Sequence, residues 1–177
     1  ADQNSPAAVE RALSATGIDV AQRRADSDLR IDDASNVYLE SGFDPGRMIS
    51  QLESACTESV ETGYEGLFVA GENTWCFHTE SSFDHIVGFE SDFDDICPTL
   101  PVHALCQYDL TRFSEESTAK AIWTHKQVVY QNIICENPYY ISPSEYTGTE
   151  RPELNARLML EQMYDLTQAR RDIEQRD

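Results

Sequence analysis

LFVA, residues 67–70, runs straight into GENTWCF at 71–77, and the reading of this junction decides the fold. Four consecutive apolar residues leave no polar face. In a strand this means cover on both sides, as in a parallel sheet held between helix layers. A second run, VHALCQY at 102–108, has the same character and continues into DLTRF, and a third, QVVYQNIIC at 127–135, continues into ENPYY. Between them lie helical patterns. Phe83, Ile86, Val87, Phe93 and Ile96 recur at three-and-four spacing until Pro98 and Pro101 break the run, and Ser114 caps a helix carrying Ala119, Ile122 and Trp123. Strand, helix, strand, helix, strand predicts an α/β fold: a mostly parallel sheet with helices on both faces.

Outward toward the N-terminus, ADQNSPAAVERALSATGI predicts a helix capped by Ser5, with Pro6 at its first position and Gly17 as its stop. LRI at 29–31 is a short strand candidate, and a brief helical turn is expected around NVYLESG. Asp44-Pro45 opens a longer helix bearing Met48, Ile49, Leu52, Ala55, Cys56, Ser59 and Val60, which Gly63 ends. Because α/β order calls for a strand before the first helix, the first strand region is expected upstream of residue 1.

Toward the C-terminus, PELNARLMLEQMYDLTQARRDIEQRD differs in kind. Ala156, Met159, Met163, Leu166, Arg170 and Ile173 alternate by three and four, so residues 148–177 form a linker or signalling helix. Two arrangements fit: a two-helix coiled coil leading into another domain, or a helix folded back on its own domain.

Composition narrows the class. A chain of 177 residues suits one domain, burying roughly 70 % of the surface it exposes when unfolded. Thirty-two acidic residues against thirteen basic give a net charge of −19, dispersed through DSDLRIDD, ESDFDD, SEES and RRDIEQRD. Such a surface repels nucleic acid phosphates and anionic lipid, and suits a high-salt, halophilic cytoplasm that screens self-repulsion. No apolar run is long enough to span a bilayer. Five widely spaced cysteines fit free thiols in a reducing compartment, and the four histidines never join them at zinc-type spacing, so neither a metal nor another cofactor is predicted.

Catalytic motifs are missing. The chain has neither GxxxxGK[ST] nor GxGxxG, GENTW does not match GxSxG, and its two lysines, Lys120 and Lys126, are few for phosphoryl chemistry. A Cys106–His125–Asn137 triad can be drawn, but five cysteines and four histidines permit several such drawings. A binding pocket at the carboxyl ends of the strands uses the same residues better. Trp75, Tyr108, Phe113, Tyr139 and Tyr140 would supply wall, and Glu72, Asp109 and Arg112 would orient polar atoms of a guest. The competing reading makes these a satisfied ion pair and packed core phenols.

GFDPGRMISQL, EGLFVAGENTWCF, ALCQYDLTRF and THKQVVYQNIICENPYYISPSEY together resemble the MEDS domain, the methanogen/methylotroph DcmR sensory domain found in prokaryotic histidine kinases and one-component regulators. The resemblance covers residues 1–147. It implies a fold distantly similar to RecA/KaiC, an N-terminally incomplete sensory domain, and sensing of small hydrocarbon derivatives without catalysis. Gly71, Glu72 and Trp75 match one family segment. Cys106, Gln107, Tyr108, Asp109, Arg112 and Phe113 match a second, and Asn137, Pro138, Tyr139 and Tyr140 a third. His125 matches a family histidine, with Lys126 where proline is usual, and Gln131 and Asn132 replace the family's usual glycines. The implied role is ligand sensing in a cytoplasmic two-component protein, a haloarchaeal histidine kinase suiting the charge, with an output domain downstream and a possible homodimer. A scaffold or dimerisation module is the alternative, and a degenerate RecA-like enzyme a third reading.

Overall fold

The computed structural model describes residues 5–40, 42–79, 81–145 and 156–175. Helix α1 (Pro6–Ala15) starts where Ser5 Oγ accepts the Ala8 amide at 3.3 Å, and Gly17 follows its end at φ 91°. A short α2 (Val20–Ala25), capped by Asp19, lies outside the sequence expectation, and Leu29–Ile31, expected as a strand, is irregular. One π-helical turn (Ser35–Leu39) precedes α3 (Pro45–Glu61), where Asp44 Oδ1 accepts the Arg47 amide at 2.8 Å. Then come β1 (Leu67–Glu72), a 3-10 turn (Asn73–His78), α4 (Phe83–Ile96), β2 (Val102–Gln107), α5 (Glu115–Trp123), β3 (Gln127–Tyr130), β4 (Ile133–Glu136) and α6 (Ala156–Glu174).

The apolar runs LFVA and VHALCQ do pair in parallel, Leu67 opposite Val102 through to Glu72 opposite Gln107. Gly66 makes that approach possible, since a Cβ there would stand 2.3 Å from the Pro101 carbonyl oxygen, to which the Leu67 amide donates at 2.8 Å. The expected RecA/KaiC-like, mostly parallel sheet is nevertheless wrong. Helix predominates, and the strands form two separate two-stranded sheets, β1–β2 parallel and β3–β4 antiparallel. Two physical facts account for the difference. The side chains of β1 alternate in burial, leaving Phe68 67 % exposed, so its apolar run does not signify cover on both faces. QVVYQNIIC is not one strand, because Gln131 and Asn132 adopt φ of 48° and 63° and fold it into a hairpin, as a two-residue turn between twisted strands requires.

Two apolar clusters hold the fold. Trp75, Cys76, Ile86 and Phe113 pack with Tyr38, Phe43, Phe83 and Tyr108 where β1 and β2 end. Ala119, Ile122, Trp123 and Cys135 pack with Ala156, Met159, Leu160 and Met163, joining α5 and the hairpin to α6. The first half of α6 is therefore folded back on its own domain, while Leu166 and Ile173 are each 63 % exposed. The first residues of the expected C-terminal segment, 148–155, lie outside the described residues.

Candidate functional site

Parallel register brings the ends of β1 and β2 side by side, and Glu90 of α4 meets Asn73 just after β1 and Tyr108 just after β2. Ile86, Val87 and Glu90 share one buried stripe of α4 at three-and-four spacing, so a carboxylate enters a position patterned for an apolar residue. Glu90 is 5 % exposed. Its Oε1 accepts the Asn73 Nδ2 donor at 3.0 Å and the Tyr108 hydroxyl, while its Oε2 is buried without a hydrogen-bond partner. Asn73 Oδ1 in turn accepts the Trp75 indole N–H at 3.3 Å. Burial first and the Glu90 charge second push the Tyr108 phenol well above its usual range, so Tyr108 acts as a donor.

Beside this network opens a cleft of about 430 Å³, bounded by α4, β2 and the junction of α5 with β3. Phe93, Val102 and Ala104 give it apolar wall; Glu90, Cys106 and His125 give it a polar floor. Burial, then the nearby Glu90 carboxylate, hold the Cys106 thiol well above its usual range. The His125 Nδ1 lies 2.7 Å from the Ala121 carbonyl oxygen. A carbonyl only accepts, so Nδ1 carries a proton. At the rim, Lys126 Nζ pairs with Asp94 at 3.2 Å and stands over the Tyr140 ring, whose hydroxyl donates to Asp94 at 2.6 Å.

The residues named from sequence divide between these regions. Cys106 lines the cleft and Tyr108 braces Glu90 behind it. Trp75 and Phe113 are buried in the aromatic cluster. Glu72 caps the following turn, its Oε1 accepting the Thr74 amide at 2.9 Å, and Asp109 Oδ1 accepts the Thr111 amide at 2.9 Å. The Arg112 guanidinium stands 5.1 Å over the Phe77 ring. Tyr140 reaches the cleft rim, whereas Tyr139 packs toward α6, its hydroxyl donating to Gln162. The third segment thus reaches the cleft through Glu136 and Tyr140, while Tyr139 packs away from it.

The drawn triad does not assemble either. Asn137 Nδ2 donates to the Ile122 and His125 backbone carbonyls at 2.6 and 2.7 Å, and the His125 ring is oriented by Ala121. Glu90 escaped the sequence reading because ESDFDD looks like a solvated acidic face. Its place on the Ile86–Val87 stripe is the signal that would have found it.

An aromatic, carboxylate-centred network thus lies beside a cleft with both apolar and polar lining. The chain belongs to the MEDS family, the MEthanogen/methylotroph, DcmR Sensory domain, whose profile matches residues 1–126. No curated protein and no solved structure matches the chain. The match takes in Glu90, Cys106, Tyr108 and His125, and leaves the hairpin and α6 outside it.

Proposed function

We propose that this domain is the input module of a cytoplasmic signalling protein, and that it binds a small, weakly polar hydrocarbon derivative in the cleft between α4, β2 and the α5–β3 junction. The observation that carries the reading is the cleft itself. Its size lies within the range of small-ligand sites, roughly 300–1,000 Å³, and it joins apolar wall to a few convergent polar groups. Cys106, His125 and Glu90 contact the guest, Tyr108 positions Glu90, and Trp75 and Phe113 keep the floor rigid.

Transmission runs through α5. Thr124 and His125 line the cleft directly after α5, and Ile122 and Trp123, the last two residues of α5, pack with Met159 and Met163 of α6. A guest that prefers one placement of the α5 end also prefers one placement of α6; equal affinity for both would transmit nothing. The exposed Leu166 and Ile173, seven residues apart, give α6 an apolar stripe that suits a second copy or an output domain downstream. The net charge of −19 argues against nucleic acid as the partner.

The test is ligand-observed NMR with short-chain alcohols, ketones and amides on the parent protein and on Ala104→Leu, which narrows the cleft from an exposed position. Saturable binding to the parent, weakened about tenfold or more in the variant at unchanged stability, is expected. Saturable binding that the variant leaves intact, or no saturable binding at all, would refute the placement of the site.

A further inference from the structure

Glu90, Cys106 and His125 each present one ligand atom, and these three atoms lie within 4.8 Å of one another. They come from α4, β2 and the residue pair after α5, so no local spacing announces them. Around a tetrahedral ion with bonds near 2.0–2.3 Å, ligand atoms stand about 3.6 Å apart, a distance that small side-chain rotations would reach.

Two of the three groups are already oriented as ligands. The His125 Nδ1 lies 2.7 Å from the Ala121 carbonyl oxygen, the kind of outer contact that orients a metal-binding imidazole. Glu90 Oε1 is held by Asn73 and Tyr108, while its buried Oε2 has no hydrogen-bond partner. Leaving such a group unsatisfied is costly, and a cation would satisfy it. Cys106 supplies a soft donor. A thiolate, an imidazole and a carboxylate together favour zinc and its borderline neighbours over calcium or magnesium, which prefer all-oxygen shells.

We propose that Glu90, Cys106 and His125 bind one divalent transition-metal ion of the zinc class, with the remaining coordination position open to the cleft. Binding forms the metal–sulfur bond as the Cys106 proton leaves for solvent, with no change of oxidation state. An open fourth position would take water or a small donor molecule. The site stands on these three residues and does not depend on the sensory reading.

The experiment titrates Co²⁺, and then Zn²⁺ in competition, into the full chain after chelation under reducing conditions. One cobalt per chain is expected, with a thiolate-to-cobalt charge-transfer band that zinc removes. Cys106→Ser abolishes the band and Cys97→Ser, a neighbouring thiol in the cleft, retains it. His125→Gln and Glu90→Gln bind at least about tenfold more weakly, and Tyr108→Phe, which frees one donor from Glu90, about tenfold more weakly. Far-ultraviolet circular dichroism confirms that each variant folds. X-ray absorption of the parent's zinc complex reads the site without any variant, with one sulfur among nitrogen or oxygen neighbours expected. A band that survives Cys106→Ser, affinity unmoved by His125→Gln and Glu90→Gln, or an all-oxygen zinc shell would overturn the proposal.

Discussion

The indole of Trp75 lies flat against the ring of Tyr38, their centroids 4.2 Å apart and their planes 6° from parallel. The π-helical turn delivers Tyr38, and Phe43 closes on the same indole at 5.0 Å. Segments ahead of α3 are thereby tied to the end of β1. With Trp75 only 1 % exposed, Trp75→Ala is expected to cost about 3–5 kcal/mol of folding free energy in denaturant unfolding. Trp75→Phe should cost distinctly less. A loss below about 1 kcal/mol for the alanine variant would show that the stack contributes no more than an ordinary substitution.

The hairpin turn holds two non-glycine residues at positive φ, Gln131 and Asn132. Asparagine tolerates this region and glutamine does so less readily. Gln131→Gly is therefore expected to stabilise the protein by about 0.5–1 kcal/mol, the relieved strain outweighing the entropy of the added glycine, and Asn132→Gly by less. Unfolding midpoints at an unchanged denaturant slope provide the measurement; destabilisation by Gln131→Gly would refute the strain.

This turn also marks where the sequence stopped being legible. Helix boundaries could be read because Ser5, Asp44 and Ser114 accept amide hydrogens at helix starts, and these caps are local. The parallel pairing of β1 with β2 was legible from their shared apolar character. The number of strands was not, since burial of Phe68 depends on what covers it and the Gln131–Asn132 turn lacks glycine. Cys106 and Tyr108 were visible as candidates at the end of β2. Their partner Glu90 was hidden among neighbouring acids, and His125 meets Cys106 only through tertiary packing. Heptad-like spacing in α6 was real, but Met159 and Met163 are spent on the domain's own core.

Charge makes a further expectation measurable. A net charge of −19 repels itself, and raising salt from 0.1 to 1 M shortens the screening length from about 10 Å to about 3 Å. Stability in denaturant melts should rise steeply over that range in a salt that does not itself salt out apolar groups. Equal stability at both concentrations would remove the electrostatic argument.

Alkaline pH should act in the opposite direction. Burial, then the charges of Glu90 and Glu72, push the Cys76 thiol up to about 11, and burial pushes the Tyr38 phenol up to about 12. Both groups are neutral when protonated, so the folded state keeps its proton where the unfolded state has lost it. Their stabilisation is fully present below the unfolded values, about 8.5 for the thiol and 10 for the phenol, and is lost as pH rises toward the folded ones. Unfolding free energies at pH 8, 10 and 11 should fall in that order, with Tyr38→Phe flattening the upper part. A profile level from pH 8 to 11 would contradict the assignment.

Coupling between the cleft and α6 is the central claim, and backbone amide NMR of the full chain tests it most directly. During titration with the tightest of the short-chain alcohols, ketones or amides, shifts are expected at Ala104, Thr124 and His125 around the cleft. The same saturation curve should appear at Met159 and Met163, which contact the cluster containing Trp123. Amides of α1 and α2, remote from that path, should stay unmoved. Saturable shifts around the cleft with none at Met159 or Met163 would show that the site binds without reporting to α6, and would contradict the account.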